Sequence, residues 1–332
     1  MTTPGRTIPM SALGPGREFD RVRRIAAALG SRAAGLGDDC ALLPAGDRTL
    51  AVSTDVSVEG VHFRLDWLSL EEVGWRAVAA ALSDLAAEGA DAEAVLVGLT
   101  VPAAAGDDEV VAMMSGAGAA AGEAGARVVG GDLSAGPGWI LSVTVLGWVT
   151  EPVTRAGARE GDGLWVTGRL GAPRAALEAW RRGDAPGEEA RRAFARPLPR
   201  LHAGRWLARH GARAMIDLSD GLGADATHLA AASGVAVALD LELVPVAPVA
   251  VAEAGRLGVV PGQFAAESGE EYELLVALPA AFAAEDVLAF EGASGVTLTR
   301  VGEVRPGAGV HARVAGELVA LSGFDHFAPD RR

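Results

Sequence analysis

The stretch AMIDLSDGLGADATHL, from Ala214 to Leu229, joins an apolar run to a helical pattern through a short acidic segment. Asp217 and Asp220 flank a Leu-Ser pair directly after the apolar residues, and Asp225 follows five residues later. A carboxylate is costly to bury unless a cation or several donors meet it. The stretch therefore predicts a strand that leads into a helix, with carboxylates that await a cation where the two meet.

The same combination of aspartate with apolar and small residues recurs at four other places. These segments read GLGDDCALLP, LAVSTDVSVEGVHF, LSDLAAEGAD and VVGGDLSAG. Strand and helix patterns alternate around them, which predicts a mixed α/β fold. A polar, glycine-rich segment at 151–163 interrupts the alternation. We therefore predict two domains, residues 1–150 and 151–332.

The composition excludes several classes of protein. The 332 residues carry 29 basic and 43 acidic groups, and the net charge of −14 argues against nucleic-acid binding, which needs a basic surface. The chain has no lysine and no asparagine, so it has no Walker A loop, no protein-kinase active site and no Schiff-base lysine. The longest apolar tract, 229–251, is broken by acidic residues and prolines, and we predict no membrane span.

The single cysteine and the N-terminal segment bear on where the protein works. Cys40 alone forms neither an intramolecular disulfide nor a Cys-x-x-Cys metal site. The first residues lack a basic region followed by an apolar one, so we expect no signal peptide. Both observations favour a reducing cytoplasm.

Seven aspartates beside apolar and small residues are candidate metal ligands: Asp38, Asp39, Asp55, Asp84, Asp132, Asp217 and Asp220. Each alone has an ordinary explanation as a helix N-cap or an Asx turn. Asp84, however, lies in an alanine- and leucine-rich helical pattern, where aspartate is unfavourable. Carboxylates without His or Cys at ligand spacing suit Mg²⁺ or Mn²⁺ rather than Zn²⁺. Together they predict several Mg²⁺ ions in an acidic cleft that accepts phosphate groups, with nearby hydroxyl groups from Ser53, Thr54 and Ser219.

Two further expectations concern where strands end. We expect the strand at 49–53 to end at Thr54 and Asp55, and a short strand at 127–129 to be stopped by the Gly130-Gly131 pair. The double glycine makes a turn the ordinary explanation for Asp132.

Four other residues have both a functional and an ordinary interpretation. His62 follows the STD segment in a loop and is either a surface residue or a ligand contact. Arg155 either caps a helix, pairs with Glu160 or binds a phosphate through two hydrogen bonds. Glu270 opens an acidic run that is either a solvated strand edge or a ligand contact. Phe324, near the C-terminus, either packs on the core or covers a ring-shaped ligand.

Eight motifs, taken in order, resemble those of the thiamine-monophosphate kinases, which belong to the ATP-binding superfamily typified by aminoimidazole ribonucleotide synthetase. They are GLGDDCALLP, STDVSVEGVHF, LSDLAAEGAD, VVGGDLS, TRAGAREGD, IDLSDGL, SGEEYELL and GFDHF. The resemblance implies a two-domain α/β fold whose N-terminal domains pair into a barrel across a homodimer. It also implies Mg²⁺-dependent transfer of the γ-phosphate of ATP to thiamine phosphate, giving thiamine diphosphate and ADP.

The resemblance assigns roles to residues by motif. The implied metal ligands are Asp39, Ser53, Thr54, Asp55, Asp84, Asp132, Asp217 and Asp220. The implied ATP contacts are Gly131, Asp132, Arg155 and Ser219, and the implied thiamine phosphate contacts are His62, Glu270 and Phe324. An acceptor phosphate is already ionised at neutral pH, so we expect no residue to act as general base or nucleophile and no phosphoenzyme.

The chain departs from the usual motifs at three positions. Glu88 replaces a methionine. This change affects the implied site unless the Glu88 side chain faces solvent. Glu271 stands for an aspartate in a motif one glycine short, and Phe324 replaces a frequent tyrosine. Two alternative functions stay open: another ATP-dependent enzyme of the superfamily, or a non-enzymatic Mg-nucleotide sensor.

Overall fold

The computed structural model describes residues 13–33, 35–324 and 326–327. The helices in these ranges are α1 (Arg17–Leu29), α2 (Leu70–Ala87), α3 (Asp107–Glu123), α4 (Ala172–Arg181), α5 (Glu188–Ala195), α6 (Leu201–Arg209), α7 (Leu222–Ser233), α8 (Pro248–Leu257), α9 (Pro261–Ala266) and α10 (Ala284–Ser294). The strands are β1 (Ala41–Ala45), β2 (Arg48–Val58), β3 (Asp91–Pro102), β4 (Arg127–Gly136), β5 (Ile140–Val149), β6 (Gly163–Thr167), β7 (Ala214–Asp217), β8 (Ala236–Asp240), β9 (Leu274–Leu278), β10 (Leu298–Arg305), β11 (Gly309–Val314) and β12 (Glu317–Val319).

The strands form two sheets with helices packed against them, which confirms the predicted α/β class. The first sheet has the order β1-β2-β5-β3-β4, and the second has the order β12-β11-β8-β10-β6-β9-β7. Both are mixed, since β3 with β4 and β8 with β11 are parallel while the other pairs are antiparallel. The first sheet lies within residues 41–149 and the second within 163–319; the boundary at 150/151 stays a prediction.

The described helices cover one face of the first sheet. In the central strand β5, alternate residues such as Val143 and Val145 are buried against helices α2 and α3. The residues between them, among them Thr144 and Leu146, are only partly buried and point to the other face. We call this second side, which no described element covers, the open face of the first sheet.

The expectation that a strand ends at Thr54 and Asp55 is wrong, because β2 continues to Val58 and both residues lie inside it. Side chains alternate across a strand, so neighbours point to opposite faces. Ser53 bonds to helix α2 on the covered face, whereas the Thr54 hydroxyl lies 2.9 Å from that of Thr144 on the open face.

The expected turn at Gly130-Gly131 is also wrong, since β4 runs through both glycines and Asp132 to Gly136. Gly131 pairs with Val97 in the neighbouring strand β3. A β-carbon on Gly131 would lie 1.9 Å from the Val97 carbonyl oxygen. The glycine therefore permits a close approach of two backbones rather than a turn.

Helix α2 connects the two halves of the chain. A capping box starts it, in which the Ser69 hydroxyl accepts from the Glu72 N–H and the Glu72 carboxylate accepts from the Ser69 N–H. It packs against α3 and β5 of the N-terminal part, and also against α6 and β7 beyond residue 200. A side chain on α2 can therefore meet residues of both sheets.

The small residues of α3 serve packing within the chain. A β-carbon on Gly116 would lie 1.8 Å from the carbonyl oxygen of Glu71 in α2, and one on Gly74 would lie 1.9 Å from the carbonyl oxygen of Met113 in α3. In the structure these small residues bring α3 onto α2, on the covered face of the first sheet.

No helix among the described residues combines the length and the apolar character needed to cross a membrane.

Candidate active site

Three aspartates from distant parts of the sequence meet at the junction of the two sheets. Asp39 precedes β1, Asp84 lies in the last turns of α2, and Asp217 ends β7. Each offers a carboxylate oxygen that lies within 4.8 Å of the others. Hard oxygen ligands at this spacing suit a magnesium-like cation. We refer to these three residues as the carboxylate cluster.

Strand β2 adds two of the predicted residues to the same side. The Ser53 hydroxyl donates a 2.5 Å hydrogen bond to the Asp84 carboxylate. Asp55 lies two residues further on the same face of the strand, and its charge acts on Asp84. The structure thus brings Asp39, Ser53, Asp55, Asp84 and Asp217 together, as the sequence motifs imply.

Burial and mutual repulsion act in the same direction on these carboxyl groups. Burial, followed by the charges of Asp55, Asp217 and Asp39, holds the pKa of Asp84 well above its usual range. Burial and the charge of Asp39 likewise raise the pKa of Asp217. A cation between the groups would relieve this repulsion. The Asp39 Oδ2 atom is buried and has no hydrogen-bond partner, so it is suited to coordinate such a cation.

Arg155 lies against this cluster rather than against Glu160. Its guanidinium donates to Asp39 at 2.5 Å and lies 3.5 Å from Asp38, and its backbone N–H donates to Asp38 at 3.0 Å. These two carboxylates hold the pKa of Arg155 above its usual range despite burial. A fixed positive charge beside carboxylates is suited to a phosphate that arrives with a metal ion.

The IDLSDGL loop is held by Asp225, a residue without an assigned role in our sequence analysis. Its buried carboxylate accepts from the backbone N–H groups of Asp220, at 3.3 Å, and Gly221, at 3.1 Å. The N-cap of α7 is Gly221, so the plain N-cap interpretation of Asp220 is wrong. The carbonyl of Ser219 accepts from the Glu270 N–H at 2.7 Å, which ties this loop to the SGEEYELL motif.

Glu270 belongs to a second polar group, with Arg76 and Tyr272. The Arg76 side chain is 4% exposed; it forms a close ion pair with Glu270 and donates to the Phe194 carbonyl. The Tyr272 hydroxyl donates to Glu270 at 2.7 Å. Glu270 (φ 66°) and Tyr272 (φ 53°) both have left-handed backbone conformations, which are strained for residues other than glycine.

The solvated strand edge considered for this acidic run is wrong. Strand β9 begins only at Leu274, and Tyr272 and Glu273 are buried. The Glu273 carboxylate is satisfied by Arg200, at 2.5 and 2.7 Å, and by the Thr167 hydroxyl, at 2.6 Å.

An aromatic group lies beside the Arg76–Glu270 pair. The rings of His62 and His326 are 5.0 Å apart, and those of His326 and Phe324 are 4.7 Å apart. Burial, then the charges of His326 and Arg76, lower the pKa of His62 to about 4, so the ring is neutral at pH 7. Its Nδ1 accepts from the Val58 N–H, which leaves its hydrogen on Nε2.

Helix α2 sets the spacing between the two groups. Arg76 and Asp84 are eight residues apart on this helix, or about 12 Å at 1.5 Å per residue. The structure therefore presents a carboxylate cluster at one end of a site and, at the other, an aromatic group with the Arg76–Glu270 ion pair.

Three of the predicted residues lie elsewhere. The Thr54 side chain points to the open face, away from Asp84. Gly131 and Asp132 lie on the edge strand β4, which β5 and β3 separate from β2. At about 4.8 Å per strand, Asp132 is roughly 14 Å from Asp55 across the sheet. Within one chain, Asp132 cannot share an ion with the carboxylate cluster.

Of the two possibilities for Glu88, the structure excludes a solvent-facing side chain, since Glu88 is 0% exposed at the C-terminal end of α2. Sequence reasoning also missed Arg76, Tyr272, His326 and Asp225 as parts of the site. Asp225 had a visible signal, since it follows Asp220 by five residues in the same acidic segment. Arg76 had none, because a single arginine in an amphipathic helix usually reaches solvent.

Comparison with known proteins places this geometry in a family. The family model described as AIR synthase related protein, N-terminal domain, matches residues 37–149, and the corresponding C-terminal domain model matches residues 159–315. The thiamine-monophosphate kinase of Mycobacterium tuberculosis is 41% identical over 244 residues, 73% of each chain. That of Escherichia coli O157:H7 is 36% identical and covers 94% of this chain and 96% of its own length.

A solved structure supports the same relationship. The structure described as AaThiL complexed with AMPPCP and TMP superposes with a TM-score of 0.84 at 30% identity, covering 94% of this chain and 97% of that one. The carboxylate cluster and the aromatic group thus lie in a fold shared along nearly the whole chain. This protein belongs to the AIR synthase related proteins and, among them, to the thiamine-monophosphate kinase family.

Proposed function

We propose that this chain transfers the γ-phosphate of ATP to thiamine phosphate, giving thiamine diphosphate and ADP. The observation that carries the proposal is the pairing, along helix α2, of the Asp39–Asp84–Asp217 cluster with the Arg76–Glu270 pair and its aromatic neighbours. The kinship with thiamine-monophosphate kinases supports the choice of substrates.

The carboxylate cluster is the proposed place for Mg²⁺. Asp39, Asp84 and Asp217 would hold the metal, which supplies charge neutralisation for the phosphate groups. Ser53 positions the Asp84 carboxylate through its hydrogen bond, and Asp55 adds a further carboxylate on the same face of strand β2. Because the protein and both substrates are negatively charged, ATP would be repelled from this cleft without metal ions.

The aromatic group is the proposed place for the thiamine moiety. Phe324 offers a ring face to the cationic ring system. His62 is neutral, with a hydrogen on Nε2 that can be donated to the acceptor. Glu270, held by Arg76 and Tyr272, is fixed to accept from an amino group or to favour the positive charge.

Transfer between these two places needs no side-chain nucleophile. A phosphate monoester has a second pKa of about 6, so its oxygen is ionised at neutral pH. The chain's contribution is to position the two substrates and to keep Arg155 beside the phosphate region. We therefore propose direct transfer in one step.

The open face of the first sheet supports a homodimer. Leu43 is 53% exposed and Val56 is 48% exposed on this face, beside the partly buried Leu146 and Trp148. A second copy that covers the same face would bury these side chains and close the two sheets into a barrel. Thr54 and Asp132 would then lie at the subunit interface.

Two alternatives make different predictions. Another superfamily enzyme would release ADP with a different acceptor, and a nucleotide sensor would bind Mg-ATP without turnover.

The cellular location of the protein is proposed from its cysteine content. The lone cysteine, Cys40, is free and buried, which is consistent with a cytoplasmic enzyme.

The test is ADP release when purified protein is mixed with ATP and thiamine phosphate. We expect turnover with Mg²⁺ or Mn²⁺, no turnover in excess chelator, and no replacement by Zn²⁺. Unphosphorylated thiamine is the matched control acceptor. ADP release that ignores thiamine phosphate, or binding without any release, would favour one of the alternatives.

A further inference from the structure

A second acidic group lies directly beside the carboxylate cluster. Asp38, Asp39 and Glu88 each offer an oxygen atom within 4.8 Å of the others. Glu88 follows Asp84 by one helical turn, and its N–H bonds to the Asp84 carbonyl at 3.3 Å. Asp39 belongs to both groups and therefore lies between them.

Glu88 carries an oxygen atom without a partner. Its Oε1 accepts weakly from the Cys40 N–H, at 3.4 Å, while its Oε2 is buried and makes no hydrogen bond. The Oδ2 atom of Asp39 is buried and equally without a partner. Buried polar atoms are nearly always paired, so two such atoms in one group indicate a missing ligand.

The charges in this group do not balance. Asp38, Asp39 and Glu88 face one guanidinium, that of Arg155, which bonds to Asp39 and lies near Asp38. Among the described residues, no ion pair reaches Glu88. Its position at the C-terminal end of α2 adds the negative end of the helix dipole.

We propose that Asp38, Asp39 and Glu88 form a second divalent-cation site, which shares Asp39 with the carboxylate cluster. Three carboxylates and no nitrogen or sulfur ligand suit Mg²⁺ or Mn²⁺. The third ligand, Glu88, lies one helical turn beyond Asp84, at the C-terminal end of α2. This inference rests on one part of the proposed function, the binding of Mg²⁺ by the carboxylate cluster. It does not depend on which molecule accepts the phosphate.

The test is a count of bound Mn²⁺ by paramagnetic resonance, with neither ATP nor thiamine phosphate present. We expect the unchanged protein to bind one ion more than Glu88→Gln or Glu88→Met at the same free Mn²⁺. Asp38→Asn should lose the same ion. Glu71→Gln, an exposed change on the same helix, is the matched control and should bind the full number.

A thermal melt gives a second measurement if one variant folds poorly. Added Mg²⁺ should raise the melting temperature of the unchanged protein more than that of Glu88→Met, since only the former binds the extra ion. Equal ion counts, or equal shifts with Mg²⁺, would overturn the site and indicate a protonated Glu88. If the unchanged protein binds the extra ion but shows no kinase activity, the proposed function fails and the site stands.

Discussion

The carboxylates of this protein differ in the charge of their nearest neighbours. Asp84 and Asp217 repel each other in a buried cluster, whereas Glu273 is satisfied by Arg200 and a hydroxyl group. Removing a charge therefore has opposite consequences at different positions. In the cluster it relieves repulsion at the expense of metal binding, and beside Arg200 it leaves a partly buried cation unpaired.

A substitution of Asp220 should change turnover without changing stability. Its backbone is fixed by Asp225 and by the Phe324 N–H, which donates to the Asp220 carbonyl at 3.1 Å. We expect Asp220→Asn to reduce turnover at least about a hundred-fold, roughly 3 kcal/mol in the barrier, by removing a metal charge partner. The melting temperature without ligand should change little. Steady-state ADP release beside a thermal melt measures both, and near-normal turnover would remove Asp220 from the site.

Glu271 should make stability depend on pH. Burial raises the pKa of its carboxyl to about 8, while its carboxylate accepts from the Gly171 N–H at 2.6 Å. Between about pH 4.5 and 8 the unfolded chain loses this proton and the folded protein keeps it, so stability falls as pH rises through this window. Glu271→Gln keeps the shape and removes the effect.

Urea unfolding at pH 5 and at pH 8.5 measures this dependence. The loss in free energy of unfolding between the two pH values should be smaller in Glu271→Gln by on the order of a few kcal/mol. The exposed Glu151→Gln is the control and should behave as the unchanged protein. Identical pH dependence in both variants would contradict a buried, protonated Glu271.

At the scale of elements, the contact between α2 and α3 positions the site. Helix α2 carries Arg76, Asp84 and Glu88, and its outer side is packed against α3 through glycines. A shift of α2 by even one ångström would change the spacing of all three side chains relative to the strands. The close packing of these helices is therefore a requirement of the site as well as of the fold.

Gly116→Ala tests this packing. The added β-carbon would collide with the Glu71 carbonyl, so the helices must separate, and we expect a loss of about 1–3 kcal/mol in the free energy of unfolding. Gly118→Ala on the same helix has nothing within 4 Å and should gain about 0.5–1 kcal/mol. Chemical denaturation of the two variants should move in opposite directions; equal shifts would show that the contact is looser than described.

At the scale of the whole molecule, the described elements leave the open face of the first sheet uncovered, and this face decides the expected assembly. We expect a homodimer by light scattering at micromolar concentration. Leu146→Glu places a charge on the open face and should yield monomers that keep their fold. Leu318→Glu, on the exposed strand β12, is the control and should stay dimeric. A monomer mass for the unchanged protein would contradict the dimer.

The sequence by itself determined the local features. The Asp84 helix, the strand and helix around IDLSDGL and the mixed α/β class follow from periodicity, capping and turn residues, which act over a few positions. The set of metal-type ligands was also visible, because hard carboxylates without His or Cys at ligand spacing restrict the chemistry.

Only the tertiary structure decided which of these residues meet. Asp39, Asp84 and Asp217 come together because α2 packs against strands of both sheets, and no local pattern encodes that contact. The Thr54 side chain points to the open face because strand β2 continues beyond Thr54 and side chains alternate between the two faces along a strand. Glu88 is buried, and Arg155 pairs with Asp38 and Asp39, through contacts with residues more than 45 positions away. The sequence alone therefore does not show what surrounds these charged groups.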